Sequence, residues 1–418
     1  MDALTTPLPK DWEAVKVEYI FEIITDFSAA GSFAQQSQMV QYTNDRTNYA
    51  QLIRTTELKN GFNNTNAIYI NKEAFEFLWR VNLNSDAIIL PNIGINCGEI
   101  YYVDIKKLIH KHNALAPNAI LLRTKKANLK FLFYAFLDTW FQKQLINIIT
   151  SSAQPKFTKT DLRDLLIPLP PLNEQIAIAN VLSDLDRYLY SLDALILKKE
   201  SVKKALSFEL LSQRKRLKGF DQAWQKVRLG TYKYRRGSFP QPYGNPQWYS
   251  DNGMPFVQVY DVGENFKLTQ KTKQKISKIA QPMSVFVPKN SVIITLQGTI
   301  GRVALTQYDC YCDRTILIFD NNTLNDVNKY FFVLSLFTKF EEEKRKADGS
   351  IIKTITKQTL KDFEIPLPPL NEQIAIANIL SDVDSEIISL KNKKHQFENI
   401  KKALNHDLMS AKIRVLNK

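Results

Sequence analysis

The chain has 418 residues, 44% hydrophobic and 11% aromatic, more than one domain ordinarily holds and enough apolar material for packed cores. That composition excludes a disordered chain. Its 56 Lys+Arg against 42 Asp+Glu leave a net charge of +14, a balance that points to a polyanionic partner, most often nucleic acid.

Three cysteines, Cys97, Cys310 and Cys312, cannot build a disulfide framework and suit a reducing, cytoplasmic setting. Cys310 and Cys312 lack zinc spacing, and His110, His112, His395 and His406 are scattered, so no metal is expected. The start, Met1-Asp2-Ala3-Leu4, has no basic run leading into an apolar core, so no signal peptide is expected. Apolar runs such as residues 316–319 are too short to span a bilayer, so no membrane partner is expected.

Residues 1–154 read as a mixed α/β domain. A short strand starts at Trp12-Glu13-Ala14-Val15, and strand-like runs follow at 67–70, 86–90, 101–104 and 119–122. The spacing of Leu132, Ala135, Phe136, Leu145 and Ile148 predicts a helix over 129–149. Gln35, Gln36, Gln38, Arg46 and Arg54 are residue types that can read base edges. This segment is nearly neutral, with 15 Lys+Arg against 14 Asp+Glu.

Residues 155–219 form a proline-rich entry and a long helix. Pro168, Pro170 and Pro171 forbid helix before position 172, Asn173 is the expected N-cap, and Glu174 suits the positive helix end. Leu182, Leu185, Leu189, Leu192, Ile196, Lys199, Lys203, Leu206 and Leu210 then follow a 3–4 spacing. The predicted helix covers about 173–215, roughly 60 Å at 1.5 Å per residue.

Residues 220–355 repeat the mixed α/β pattern. They open on Trp224-Gln225-Lys226-Val227, show strand-like runs at 255–260, 284–287, 291–296 and 314–319, and end in a predicted helix over 327–345. The surplus is larger here, 19 Lys+Arg against 12 Asp+Glu, which favours a phosphate-binding face. Tyr232-Lys233-Tyr234-Arg235-Arg236 and Gln241-Pro242-Tyr243-Gly244 mix base-reading with stacking residues. The same fold is expected twice, with diverged surfaces.

Residues 356–418 return to the proline-rich entry and helix. Residues 167–180 and 365–378 both read IPLPPLNEQIAIAN, an offset of 198, and the match continues without a gap for about sixty residues. Pro366, Pro368, Pro369, Asn371 and Glu372 repeat the helix start. Leu380, Val383, Ile387, Leu390, Lys394, Phe397, Lys401, Leu404 and Leu408 repeat the stripe, predicting a helix over 371–413. Two such helices need a partner, and each other is the simplest, with the seam lysines setting register; packing of each helix on its own variable domain is the alternative. The fold class expected is α+β: two mixed α/β domains alternating with two long helices that pair as an antiparallel, pseudo-twofold coiled coil.

Two diverged segments alternating with two copies of PLPPLNEQ and a long helix resemble the specificity subunits of type I restriction–modification systems over nearly the whole chain. Gly298-Thr299-Ile300-Gly301-Arg302 resembles the family's glycine-containing recognition turn, and Asn92-Ile93-Gly94-Ile95-Asn96-Cys97-Gly98 is a looser match without the basic residue. The resemblance implies that residues 1–154 and 220–355 are target recognition domains, each reading half of an asymmetric bipartite DNA site. It implies that 155–219 and 356–418 form a ruler that sets the unread spacer. It also implies docking of two adenine methyltransferase (modification) subunits, with helicase–nuclease restriction subunits outside them. S-adenosylmethionine and ATP with magnesium would belong to those partners, and this chain would need no cofactor.

The candidate residues facing double-stranded DNA are Gln36, Arg54, Asn92, Asn96, Lys233, Arg235, Arg236, Tyr243, Gln258, Gln297, Arg302 and Arg314. For helix pairing or partner docking they are Leu182, Leu185, Leu189, Leu192, Leu206, Leu380, Val383, Ile387, Leu390, Phe397 and Leu404.

Catalytic constellations are weak. No G-x-x-x-x-G-K-[ST] loop is present. Asn245-Pro246-Gln247-Trp248 faintly resembles an amino-methyltransferase motif but lacks its second proline. Asp86 with Asp104-Ile105-Lys106 mimics a nuclease spacing that chance often produces. The chain is therefore read as a non-catalytic specificity subunit, ahead of an enzyme with an unrecognised site or a protein-binding coiled-coil adaptor.

Overall fold

A computed structural model describes residues 8–62, 66–263, 265–297, 301–346 and 357–416. The chain forms two compact units, residues 1–193 with 392–418, and residues 194–391.

In the first unit the strands are β1 (Glu13–Lys16), β2 (Ile23–Asp26), β3 (Ala50–Ile53), β4 (Ile68–Ile70), β5 (Ala87–Pro91), β6 (Tyr101–Val103), β7 (Asn113–Leu115), β8 (Ala119–Arg123) and β9 (Leu166–Leu169). A four-stranded sheet runs β2-β8-β5-β6 and a three-stranded sheet β4-β3-β7, with β3 and β7 parallel. Strand β5 is buried along its whole length, as an apolar AIILP run between two packed faces should be. Phe131, Leu132, Phe136 and Phe141 pack on Ile88, Leu90, Ile120 and Leu122 to form the core. The helix expected over 129–149 breaks into Leu129–Leu137 and Thr139–Ile148. Asp138 is the cause: its backbone is extended and its carboxylate accepts the Trp140 N–H at 2.9 Å, capping a fresh helix.

In the second unit the strands are β10 (Gln225–Arg228), β11 (Tyr234–Arg236), β12 (Tyr249–Val257), β13 (Gln274–Ile276), β14 (Val285–Val287), β15 (Val292–Thr295), β16 (Val303–Leu305), β17 (Cys310–Cys312), β18 (Ile316–Phe319) and β19 (Glu364–Leu367). The sheets run β11-β18-β15-β16 and β13-β12-β17-β14, with β12 and β17 parallel. This repeats the strand plan of the first unit on a different sequence, with β14 added beside β17. The strand expected at 255–260 stops at Val257, because the buried Asp261 carboxylate accepts the Gln258 N–H at 2.9 Å and turns the chain. The terminal helix is Lys329–Lys346.

The proline-rich entries are edge strands. β9 pairs antiparallel with β1, setting Pro168 opposite Ala14, and β19 pairs with β10, setting Pro366 opposite Lys226. The long helices follow at Leu172–Leu211 and Leu370–Met409. Each starts one residue earlier than expected. The Pro171 carbonyl accepts from the Glu174 and Gln175 N–H groups, so Asn173 lies exposed inside the first turn, and Pro369 displaces Asn371 in the same way. Each also ends early at a left-handed residue, Gln213 at φ 61° and Ala411 at φ 55°, after which the Lys215 and Ile413 N–H groups return to the Glu209 and Asp407 carbonyls.

In both units the helix segments pair antiparallel. In the first, Asp186 meets Lys401 and Asp193 meets Lys394 at 2.6 Å. In the second, Lys199 meets Glu386 at 2.8 Å and Lys203 meets Asp384 at 2.5 Å. The lysines that interrupt the apolar stripe thus face acids on the opposing segment. Leu182, Leu192, Leu380 and Ile387 are buried, while Leu185, Leu189, Leu206, Val383, Leu390, Phe397 and Leu404 are half-buried.

The duplicated Glu-Gln pair explains the motif. Glu174 and Glu372 are buried with 2% and 1% of their surface exposed. Glu174 accepts from Trp12 Nε1 at 3.2 Å and Arg414 Nη2 at 2.7 Å; Glu372 accepts from Trp224 Nε1 at 3.1 Å and Arg216 Nη2 at 2.7 Å. Gln175 and Gln373 each accept, at 2.9 Å, the backbone N–H of the asparagine (Asn128, Asn328) that caps the helix of that unit's α/β domain. Each long helix therefore packs on its own domain as well as on the opposing segment. Glu372→Ala leaves the Trp224 N–H and the Arg216 guanidinium without their acceptor. It should lower stability by roughly 1–3 kcal/mol, read by chemical denaturation of the full chain.

Candidate nucleic-acid interface

Most of the polar candidates in the first unit are engaged internally. Arg54 donates to Glu57 at 2.6 and 3.0 Å and to the Asn66 carbonyl at 2.8 Å, and the bond to the buried Glu57 raises its pKa further. Gln36 donates to the Gly31 and Phe27 carbonyls, and the buried Asn92 to the Phe157 carbonyl at 3.1 Å. Asn96 accepts from Lys59 at 2.6 Å. These side chains brace loops, with Arg54 and Asn92 held as structural anchors by those bonds. Gln36 still lines an open groove with Phe33, Tyr42, Asn92 and Asn118.

The second unit differs. Lys233, Arg235 and Arg236 are exposed on or beside the edge strand β11, with Arg235 reaching the Phe286 carbonyl at 3.4 Å. Arg302 donates to the Val262 carbonyl at 3.1 Å, while its N–H is held by Thr295 Oγ1 at 3.0 Å, so it too braces a loop. Gln297 is exposed, and the matching recognition turn, Gly298-Thr299-Ile300, lies outside the described residues. Gln258 sits at the turn after β12, where its side chain accepts from the Tyr260 hydroxyl. Arg314 is exposed, with its guanidinium 5.3 Å from the centre of the Tyr243 ring. Burial, aided by a 2.5 Å hydrogen bond to Asp313, raises the Tyr243 pKa and keeps its phenol a neutral donor.

Composition pointed to a basic face here without locating it. Lys271, Lys273 and Lys275 are all exposed at alternate positions leading into β13, with Lys267 and Lys278 exposed on either side. Lys273 Nζ lies over the Tyr260 ring, 5.1 Å from its centre, and Tyr260 is within electrostatic reach of Asp313 and Tyr249. The alternating lysines of KTKQK were a legible signal of local basic charge, with Lys275 in β13 and Lys271 and Lys273 just before it. This face joins lysines fit for phosphates to Arg and Gln fit for base edges.

Among the described residues no cluster of His, Cys, Asp or Glu could hold a metal ion, and no helix is long and apolar enough to cross a membrane. Cys310 and Cys312 are buried free thiols in β17.

A doubled α/β scaffold, each copy locked to a duplicated helix entry and one bearing a lysine-fringed face, is the architecture of a two-module recognition protein. The chain belongs to the family described as the type I restriction modification DNA specificity domain, whose model matches residues 9–200 and 242–399. It is 28% identical over 426 residues to a Methanocaldococcus jannaschii protein provisionally named as the MjaX type I restriction enzyme specificity subunit, covering 98% of this chain and 95% of that one. It is 24% identical to the MjaVIII specificity subunit of the same organism, over 98% and 95% of the two chains. The crystal structure of a type I S subunit from M. genitalium shares the fold, with a TM-score of 0.60 at 15% identity over 97% of this chain and 98% of that one. The chain is a DNA specificity subunit of a type I restriction–modification system, with two recognition domains.

Changing Lys271, Lys273 and Lys275 together to alanine should weaken DNA binding about evenly across sequences. The slope of log K against log salt should become shallower by roughly 0.9 for each lysine on a phosphate. An unchanged slope in a salt titration would remove this strand from the interface.

Proposed function

We propose that each unit reads one half of a split, asymmetric DNA site, and that the long helices set the unread spacer and dock two adenine methyltransferase subunits. Helicase–nuclease subunits attach to that assembly and bring ATP-dependent cleavage. S-adenosylmethionine, ATP and magnesium are used by those partners, and this chain is a non-catalytic adaptor working in the cytoplasm.

The observation that carries this reading is one strand plan built twice on different exposed side chains, each copy attached to the same buried Glu-Gln lock. Unlike surfaces on like scaffolds suit two unlike half-sites. Like helix starts suit two copies of one partner. Leu172 and Ile176 are 53% and 42% exposed, and their duplicates Leu370 and Ile374 are 40% and 38% exposed, so both starts present the same apolar pair.

The test is a methylation map. Co-expressed with its modification subunit in an unmethylated host, this chain should direct methyl-adenine to a split motif with a fixed gap, lost when the chain is omitted. Copurifying proteins that write no motif would sink the reading. Replacing residues 220–355 with those of another family member should change one half of the motif and leave the other half and the gap alone. Deleting one heptad from each helix, 185–191 and 383–389, should shorten the gap or abolish assembly. An intact complex with an unchanged gap would refute the spacer role.

A further inference from the structure

The two units differ most tellingly at one turn. In the first, β7 passes to β8 through Ala116-Pro117-Asn118; in the second, β17 passes to β18 through Asp313-Arg314-Thr315. Both turns have three residues. Both leave the strand that pairs in parallel with β3 or β12 and enter the strand next to β5 or β15. The scaffold therefore presents the same short turn twice, with Asn118 exposed at one and Arg314 at the other.

The second turn is held from several sides. Asp313 is 3% exposed, and its carboxylate accepts from the Thr315 N–H at 2.7 Å, the Thr315 hydroxyl at 2.6 Å and the Tyr243 hydroxyl at 2.5 Å. Its N–H donates to the Val257 carbonyl at 3.0 Å. The chain at Gly237 passes so close that a Cβ there would lie 2.2 Å from the Cys312 carbonyl oxygen and 2.3 Å from that of Asp313. Tyr243 is fixed in turn, since Tyr249 donates to its carbonyl at 2.7 Å and Phe239 packs on its ring at 5.0 Å.

Arg314 rests on this platform. Arg54, Arg235 and Arg302 all reach backbone carbonyls, whereas Arg314 is held by an aromatic face. A cation–π contact of this kind, with the guanidinium carbon over the Tyr243 ring at 5.3 Å, leaves the N–H fork available for the O6 and N7 acceptors of guanine. Gln258, Tyr260 and Lys273 continue the same surface toward the lysines that suit phosphates.

We propose that Arg314 is a base-reading residue of the second recognition domain and specifies a G·C pair from the major groove. Asp313 and Tyr243 act as positioning residues that hold its fork. The proposal rests on the split-site reading given above.

The experiment maps methylation by the full complex carrying wild-type chain, Arg314→Ala, Arg314→Gln or Tyr243→Phe. Arg314→Ala should lose discrimination at one G·C position of one half-site, roughly 5- to 150-fold, with all other positions and the gap intact. Arg314→Gln should shift preference at that position toward A·T, because the glutamine amide pairs with adenine. Tyr243→Phe keeps the ring but removes one hydrogen bond to the Asp313 carboxylate, and should weaken discrimination at the same position only. An unrelaxed motif in the first two variants, with binding merely weaker as salt rises, would make Arg314 a phosphate contact and overturn the proposal. Relaxation at several positions at once would overturn it too, by showing general loosening. A wild-type complex that writes no split motif defeats the underlying reading, whereas a wild-type motif unchanged by Arg314→Gln defeats this proposal alone.

Discussion

Everything in this chain hangs on a buried carboxylate used twice. Glu174 and Glu372 each stand at the first turn of a long helix, nearly without solvent, and each is neutralised by an arginine and a tryptophan N–H. A buried carboxylate without such partners would be costly, so the tryptophan segment and the helix tail that brings the arginine are held to one geometry. Arg414 and Arg216 are themselves 198 residues apart, so the duplicated segment carries both sides of the lock. The neighbouring glutamine extends the constraint into the α/β domain by binding the asparagine that caps its helix.

This lock separates what must stay the same from what is free to differ. The buried residues of IPLPPLNEQ are held by strand pairing, proline carbonyls and the Glu-Gln contacts. The sheets beyond it need only apolar residues at the buried positions, and two unrelated sequences meet that need with the same strand order apart from the added β14. Turns at the ends of those strands carry no such demand. Pro117-Asn118 and Asp313-Arg314 occupy equivalent turns with different chemistry, which is what a protein that reads two different sequences with one scaffold requires.

Residue type did not reveal the internal partners of the polar candidates. Arg54 is bound to a buried glutamate and Arg302 to a backbone carbonyl. Asn92 is tied to the Phe157 backbone 65 residues away. Those partners are distant in the chain or contributed by backbone, so no local spacing announces them. The break at Asp138 is of the same kind, since its apolar neighbours keep helical spacing while one side chain caps a new helix. The lysines of KTKQK were legible as a run of charge, because three cations within five residues are visible without any tertiary contact.

By itself the sequence determined the architecture: two α/β domains, two helix entries, their offset of 198 and the paired apolar stripe with its lysines. These follow from periodicity, proline placement and repetition, all local properties of the chain. Which polar side chains are locked inside and which are presented, why Glu174 and Gln175 recur as Glu372 and Gln373, and that Arg314 lies over the Tyr243 ring emerge from the folded chain. Those outcomes depend on contacts between residues as far apart as Asp11 and Arg414, and a hydrogen bond made across such a separation leaves no mark on the spacing of either partner's neighbours.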